Sequence, residues 1–543
     1  MVIGGIGFFT DAYDVNPPPR HPYDVARHSD VGQIFAVNMV ASMLGLVYWD
    51  SGLIPVSADT AIKVATSAGT VLGQLAFGWL ADVVGRKKIY GLELIVIIVA
   101  TLAQSLSSAS SSMNIVGVLI FWRIIMGIGI GGDYPLSSII TSEFAMTKWR
   151  GGMMGAVFAM QGIGQLGAAL CALAVTVAFK GKLAGQQVDA CDIECKIAVD
   201  RMWRIIVGFG AVPACITLYY RLTIPETPRY TFDVELEIEG DVETGEADGP
   251  KLESGPSGNA DVAEITRIQT QAAAATEAEI PHASWSDFCG HYCQWRYSKI
   301  LLGTAGSWFL LDVAFYGLGL NNSIILDAIG YSSRTDVYEK LYNNAVGNLI
   351  LICAGSIPGY WMTVFTVDSI GRKPIQLMGF ILLTILFCII GFGFHLLTGY
   401  ALLGLYVLCQ FFFNFGPNAT TFIVPGECFP TRYRSTSHGV SAASGKVGAI
   451  IAQVLIGPLR ARGNPTPENQ SPWMNRVMQI FAGFMFTGIF TSLLIPETKR
   501  KSLEGICGEL YNEGGVPPRR AVAKEKGTEE ALAAIRSRPA AQG

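Results

Sequence analysis

The chain has 543 residues, of which half are hydrophobic and only 15% charged, with a mean hydropathy of +0.39. A water-soluble domain carries roughly 25% charged residues, so the composition excludes an ordinary soluble protein and makes lipid the main solvent. The formal net charge of -4 carries little information, because much of the acid lies in one polar loop.

A helix needs about 20 apolar residues to cross a bilayer. The first apolar segment starts at Met1 without a basic flank or a small-residue cleavage site, so it reads as the start of a spanning helix rather than a signal peptide. That helix is broken by a polar stretch. Eleven uninterrupted segments follow, near 64–83, 89–108, 115–140, 153–179, 204–224, 299–322, 343–366, 375–397, 401–424, 436–458 and 475–495. The expected fold is an all-α membrane protein with twelve transmembrane helices in two six-helix halves. Its units are 1–224, a central loop 225–298, a second half 299–495 and a tail 496–543.

Arg86-Lys87-Lys88, Lys148 with Arg150, Arg372-Lys373, Arg432 with Arg434 and Lys499-Arg500-Lys501 all follow even-numbered helices. They share one face, which the positive-inside rule makes cytoplasmic, together with both termini and the central loop. Arg460, Arg462 and Arg476 are exceptions. The central loop contains VELEIEGDVETGEADG and QTQAAAATEAE, which cannot build a core. It is expected to be largely disordered, a place where a regulatory kinase or ubiquitin ligase would act. The tail after Val516 reads as solvated, with a short helix.

Most of the eleven cysteines, such as Cys171, Cys215, Cys353, Cys388 and Cys409, read as small buried hydrophobes. Cys191 and Cys195 share a polar loop, and their pairing stays open. Cys289, His291 and Cys293 lack a fourth ligand, so no metal is expected.

An internal repeat runs through the chain. Asp82-x-x-Gly85-Arg86-Lys87 recurs as Asp368-x-x-Gly371-Arg372-Lys373. SEFAMTKWR at 142–150 is echoed by GECFPTRYR at 426–434, and PETPRY at 225–230 by PETKR at 496–500. Such pairing implies two parallel repeats. Asp82, Arg86, Glu143, Arg150, Glu226, Arg229, Asp368, Arg372, Glu427, Arg434 and Glu497 are candidates for a cytoplasmic latch, because Arg–carboxylate pairs between helices hold one conformation and release in another. The plainer alternative is that the basic residues only set topology.

Two aspartates sit in apolar helices, where a bare charge costs several kcal/mol. Asp133 follows Gly127, Gly129, Gly131 and Gly132 and precedes Tyr134 and Pro135, a segment expected to bend. Asp312 has Trp308 four residues before it and Tyr316 four after it, on one helical face. Gln161, Asn418 and Lys446 are further interior candidates, and Glu93 is a candidate partner for Arg123. Tyr, Trp, Gln, Asn and Lys are donors, which suits an oxyanion. A carboxylate near such an anion would be repelled by about 4 kcal/mol at 4 Å and an effective dielectric of 20. Asp312 is therefore expected to bind the anion as the protonated acid and to expel it on losing the proton. The alternatives are that an Asp merely neutralises Lys446 or an Arg, and that Trp308 and Tyr316 only pack.

The chain resembles the major facilitator superfamily through GWLADVVGRKK, PETPRY and GECFPTRYRST. More specifically it resembles fungal and plant high-affinity phosphate:proton symporters through FFTDAYD at 8–14, GIGIGGDYPLSS at 127–138, WFLLDVAFYG at 308–317 and SAASGKVGA at 441–449. The resemblance implies proton-coupled phosphate import at the plasma membrane by alternating access, with no enzymatic activity, cofactor or nucleic-acid partner. It implies phosphate binding by Tyr134, Gln161, Trp308, Asp312, Tyr316 and Asn418 with Lys446 close by, and proton handling by Asp11, Asp133 and Asp312. A sugar or organic-anion symporter of the same fold and a transporter-derived nutrient sensor are the alternatives.

One departure is large. Residues 15–33, VNPPPRHPYDVARHSDVGQ, separate FFTDAYD from IFAVNMVASMLGLVYW, which the family pattern joins directly. Asp11 to Gly85 spans 74 residues, but Asp312 to Gly371 only 59, an excess close to the length of the intervening piece. Its prolines and charges do not suit a lipid-facing helix. A retained intron, a truncated N-terminus and a poorly inserted first helix are the resulting expectations.

Overall fold

The computed structural model describes residues 27–49, 52–84, 89–110, 112–188, 190–222, 285–332, 335–460, 462, 471–503 and 506. Twelve apolar helices carry the architecture. They are α1 (Arg27–Tyr48), α2 (Val56–Val83), α3 (Leu92–Leu106), α4 (Ile115–Phe144), α5 (Arg150–Ala178) and α6 (Ile193–Leu218), then α7 (Trp295–Gly319), α8 (Val337–Ile370), α9 (Arg372–Gly393), α10 (Gly399–Cys428), α11 (Arg434–Arg460) and α12 (Met474–Leu494). Ten are long and apolar enough to cross a membrane. The apolar parts of α1, over Asn38–Tyr48, and of α3 are shorter. The only β pairing among the described residues is two isolated bridges, Ser110 with Met113 and Gln187 with Asp336.

The boundaries depart from hydropathy where charges find partners. α6 begins at Ile193 rather than near 204, because Arg204 holds Asp200 at 2.8 Å and donates to the carbonyls of Ser105 and Ser107. Its N-terminus is capped by Asp192, whose carboxylate accepts from the Cys195 amide at 2.7 Å, and Cys191 and Cys195 form a disulfide there. α8 passes through a π-helical turn at Leu351–Ser356. α10 breaks after Asn414 and restarts at Pro417, where the missing amide of proline costs nothing. Pro135 lies inside α4 without ending it.

Part of the 15–33 piece continues the first helix. α1 starts at Arg27, so the last seven residues of that piece are helical. The last proline before the apolar run is Pro22, and no residue from Arg27 to Tyr48 lacks an amide. Asp11, Arg86, Glu226 and Arg229, and the loop from 225 to 284, fall outside the described residues.

Helices α2 and α4 pack backbone to backbone. A Cβ at Gly73 would sit 2.1 Å from the Ile128 carbonyl, and one at Gly131 2.3 Å from that of Thr70. Small residues at such crossings let helices gain close van der Waals contact in lipid, where hydrophobic driving force between helices is absent. The Gly-rich run before Asp133 thus serves the packing of α4 on α2. Gly73→Leu should destabilise the protein by about 1–3 kcal/mol through overpacking, read as a lower Tm in detergent. A wild-type Tm would contradict this contact.

Candidate functional site

The described structure has one end rich in helix-terminal arginines, here the basic face, where α2, α4, α8 and α10 end and α5, α9 and α11 begin. Four pairs cross between the two sets of six helices there, and the internal repeat relates them. Asp82 at the end of α2 accepts from the Ser435 and Thr436 amides at 3.3 and 2.7 Å, at the N-terminus of α11. Its counterpart Asp368 at the end of α8 accepts from the Gly151 and Gly152 amides at 3.2 and 2.7 Å, at the N-terminus of α5. Carboxylates suit helix N-termini because unpaired amides and the helix dipole converge there. Glu143 then pairs with Arg434 at 3.2 Å, and Glu427 with Arg150 at 2.8 Å. Each copy of the repeated seven-residue Glu-to-Arg spacing is therefore used crosswise, the acid of one half meeting the base of the other.

Glu427 is the most heavily used of these acids. It also takes a bidentate Arg372 at 2.8 and 3.0 Å and the Thr498 hydroxyl, and it is fully buried. Arg372 additionally holds Asp368 at 2.8 Å. Glu497 behaves differently from expectation: it accepts from the Arg372 and Lys373 amides and so caps α9 within its own half. Removing a carboxylate from a buried pair strands the cations at a cost of about 3–5 kcal/mol. Glu427→Gln, which strands two guanidiniums, should therefore lower Tm more than Glu143→Gln; an equal or reversed order would refute the weighting.

Above this closed end lies a buried polar chain that spans both halves. Lys446 of α11 pairs with Asp312 of α7 at 2.8 Å, both about 98–99% buried. The ammonium sits 4.1 Å from the Tyr316 ring centre and 5.1 Å from that of Tyr134, a favourable cation–π arrangement away from water. The Tyr134 and Tyr316 hydroxyls are 3.4 Å apart. Gln161 donates to Tyr134 at 3.1 Å, Tyr360 donates to Gln161 at 3.1 Å, and Asn418 donates to Tyr360 at 3.0 Å and to Asn414 at 2.7 Å. Trp308 packs 6.4 Å from Tyr134 and 5.5 Å from His438, ring to ring. α7 and α11 close over the pair because residue 445 is glycine: a Cβ there would lie 2.5 Å from Trp308 and 2.9 Å from the Asp312 carboxylate.

All seven sequence-derived binding candidates thus converge. The alternative that Asp312 neutralises Lys446 is also realised, although only through Oδ2. Its Oδ1 is buried without a hydrogen-bond partner. Asp133 is buried beside the chain and accepts from Ser137 at 2.6 Å; adjacent helical residues diverge by about 100°, so it faces away from the direction of Tyr134. Glu93 does not pair with Arg123: both its oxygens take the Gly91 amide, at 2.8 and 2.9 Å, while Arg123 Nε and Nη1 are buried without partners among the described residues. Tyr360 and Asn414 were not singled out in the sequence. Asn414 lies four residues before Asn418, a spacing that could have signalled it; Tyr360 sits among apolar residues with no such cue.

Twelve helices, a repeated cross-paired end and an enclosed polar site define a multi-pass membrane transporter of the major facilitator fold. The chain belongs to the sugar (and other) transporter family, whose sequence model matches residues 33–509. It is 58% identical to the repressible high-affinity phosphate permease of Neurospora crassa, covering 95% of this chain and 87% of that protein. It is 56% identical to an inorganic phosphate transporter of Saccharomyces cerevisiae, covering 94% and 84%. Among solved structures it is similar to a proton:xylose symporter bound to 6-bromo-6-deoxy-D-glucose, with a TM-score of 0.62 and 16% identity over 89% of this chain and 98% of that one.

Proposed function

We propose that this chain imports inorganic phosphate together with protons across the plasma membrane by alternating access. The observation that carries this reading is the single ammonium, Lys446, set among hydroxyl and amide donors and balanced by one carboxylate, Asp312. The names of the fungal relatives support phosphate as the anion.

The geometry supplies a coupling device. With Asp312 ionised, Lys446 is committed to it. A proton added at Oδ1, the oxygen without a partner, cancels the carboxylate charge and frees the ammonium for an anion. The amides of Gln161 and Asn418 and the hydroxyls of Tyr134, Tyr316 and Tyr360 then donate to the same anion, with Trp308 walling the site. Loss of the proton on the other side restores the Asp312–Lys446 pair, and the anion loses its main counter-charge. Asp133 and Asp11 are assigned to proton delivery. Import is driven by the proton gradient and needs no cofactor.

In this reading the basic face is cytoplasmic, with both termini and the loop 225–298, and its crosswise pairs form the latch that opens inward. The two halves are 1–224 and 299–495, the second extended back to Trp295 where α7 begins, and the loop before it is the site for a kinase or ubiquitin ligase. Residues 15–33 are read as a retained intron, because Asp11 to Gly85 spans 74 residues against 59 from Asp312 to Gly371.

Reconstituted protein should accumulate labelled phosphate in response to an inward proton gradient, blocked by arsenate and indifferent to glucose. Uptake of glucose instead would replace this reading with that of a sugar symporter. Asp312→Asn should abolish gradient-driven accumulation. Tyr360→Phe should weaken phosphate binding about tenfold, the scale of one bond to a charged group; unchanged affinity would remove Tyr360 from the site. Deleting residues 15–33 should raise uptake over that of the full chain, and a spliced transcript that still encodes Pro17 to Arg20 would rule out the intron.

A further inference from the structure

A cavity of about 480 Å³, with mostly apolar walls and a cluster of polar groups, lies between the halves at the end opposite the basic face. Asn38 and Ser42 of α1, Asp59 and Lys63 of α2, Ser323 and Asp327 after α7, Lys340 and Asn344 of α8 and Arg460 at the end of α11 contribute its polar lining. Three cations face two carboxylates. Lys63 is 97% buried and holds Asp59 at 2.7 Å and Asn321 at 2.9 Å, which leaves the third of its three protons uncommitted. Arg460 lies within electrostatic range of both Asp59 and Lys63.

The same cavity holds two buried acceptors without donors, Asp59 Oδ1 and Asn344 Oδ1. An unmet buried acceptor costs about 1–3 kcal/mol, so a cavity that keeps two of them beside cations calls for a ligand that both accepts and donates. A dihydrogen-phosphate ion does so: its two unprotonated oxygens take Lys63 and Arg460, and its two P–OH groups can donate to Asp59 and Asn344. Sulfate has no O–H at neutral pH and could satisfy only the cations. From this cavity a hydrogen-bonded path leads inward. Asn321 donates to Gln453 at 3.1 Å, and Gln453 donates to the Tyr316 carbonyl at 2.9 Å, in the same residue whose ring carries Lys446.

We infer that this cavity is an outer docking site for protonated phosphate, which concentrates the anion and selects its hydrogen-bearing form before it reaches Lys446. The inference rests on the phosphate reading for the identity of the cargo. It is tested by equilibrium binding of radiolabelled inorganic phosphate to the purified full chain in phosphatidylcholine nanodiscs. Two classes of binding are expected. Lys446→Gln should remove the tighter class and leave the outer one, which Arg460→Gln then weakens about tenfold, the scale of one lost charge-assisted bond, and Arg460→Lys largely restores. Excess sulfate should not displace it. Residual binding that ignores Arg460→Gln, or that sulfate displaces as well as phosphate does, would overturn the site. So would displacement by added phosphatidic acid, which would make it a lipid-headgroup pocket. Loss of all binding with Lys446→Gln alone would also overturn it. By contrast, an Arg460-sensitive class without any Lys446-sensitive class would spare the outer site and defeat the central one.

Discussion

A charge in hydrocarbon must be neutralised by a neighbour, and in this protein the neighbour usually lies on another helix. Glu427 meets Arg150 and Arg372, Glu143 meets Arg434, Asp312 meets Lys446, and Lys63 meets Asp59 while reaching across to Asn321. Because one unpaired charge would cost several kcal/mol, these contacts fix how the helices stand relative to one another. Every other feature is built on that placement. Glycine crossings such as Gly73 against Ile128 bring helices close, but they do not by themselves specify which carboxylate faces which base.

The two ends of the molecule use this constraint differently. At the basic face the pairs are duplicated by the internal repeat and are shared between the halves in a crosswise fashion. At the centre the pair is single. A duplicated set can be broken and remade as a unit, which suits a gate. A single pair, Asp312 with Lys446, changes its charge balance with one proton, which suits coupling. On this view the repeat supplies the hinge symmetry and the departure from the repeat supplies the chemistry.

Much of this was legible in the sequence. The helix count followed from apolar runs, the crosswise pairs of the basic face from the recurrence of Asp-x-x-Gly-Arg-Lys and the Glu-to-Arg spacing, and the buried polar chain from polar residues stranded in apolar helices. Hydropathy placed the start of the sixth helix late because it counts Asp200 and Arg204 as two charges rather than one pair. Proximity in type misled for Glu93 and Arg123, since Glu93 is spent on its own helix cap. Tyr360 was invisible because a tyrosine in an apolar run normally reads as packing, and only the folded chain brings its hydroxyl to Gln161 and Asn418. The outer cavity escaped notice for a related reason: Asp59 and Lys63 look like a routine i, i+4 pair until the opposing half supplies Asn321 and Arg460.

Across the halves Asp82 and Asp368 take backbone amides, at Ser435 and Thr436 and at Gly151 and Gly152, and Asp82 also takes the Thr436 hydroxyl. An amide is present whatever side chain evolution places there, proline excepted. Such an amide contact constrains only the aspartate, except where space is short: a Cβ at Gly151 would lie 2.4 Å from Arg372 and 2.7 Å from Asp368. Across related chains the side-chain contacts, Thr436 with Asp82 and Arg372 with Asp368, can change in step, whereas the amide contacts leave no such trace although they join one half of the protein to the other. Methods that infer contacts from correlated substitution would see the first kind and miss the second.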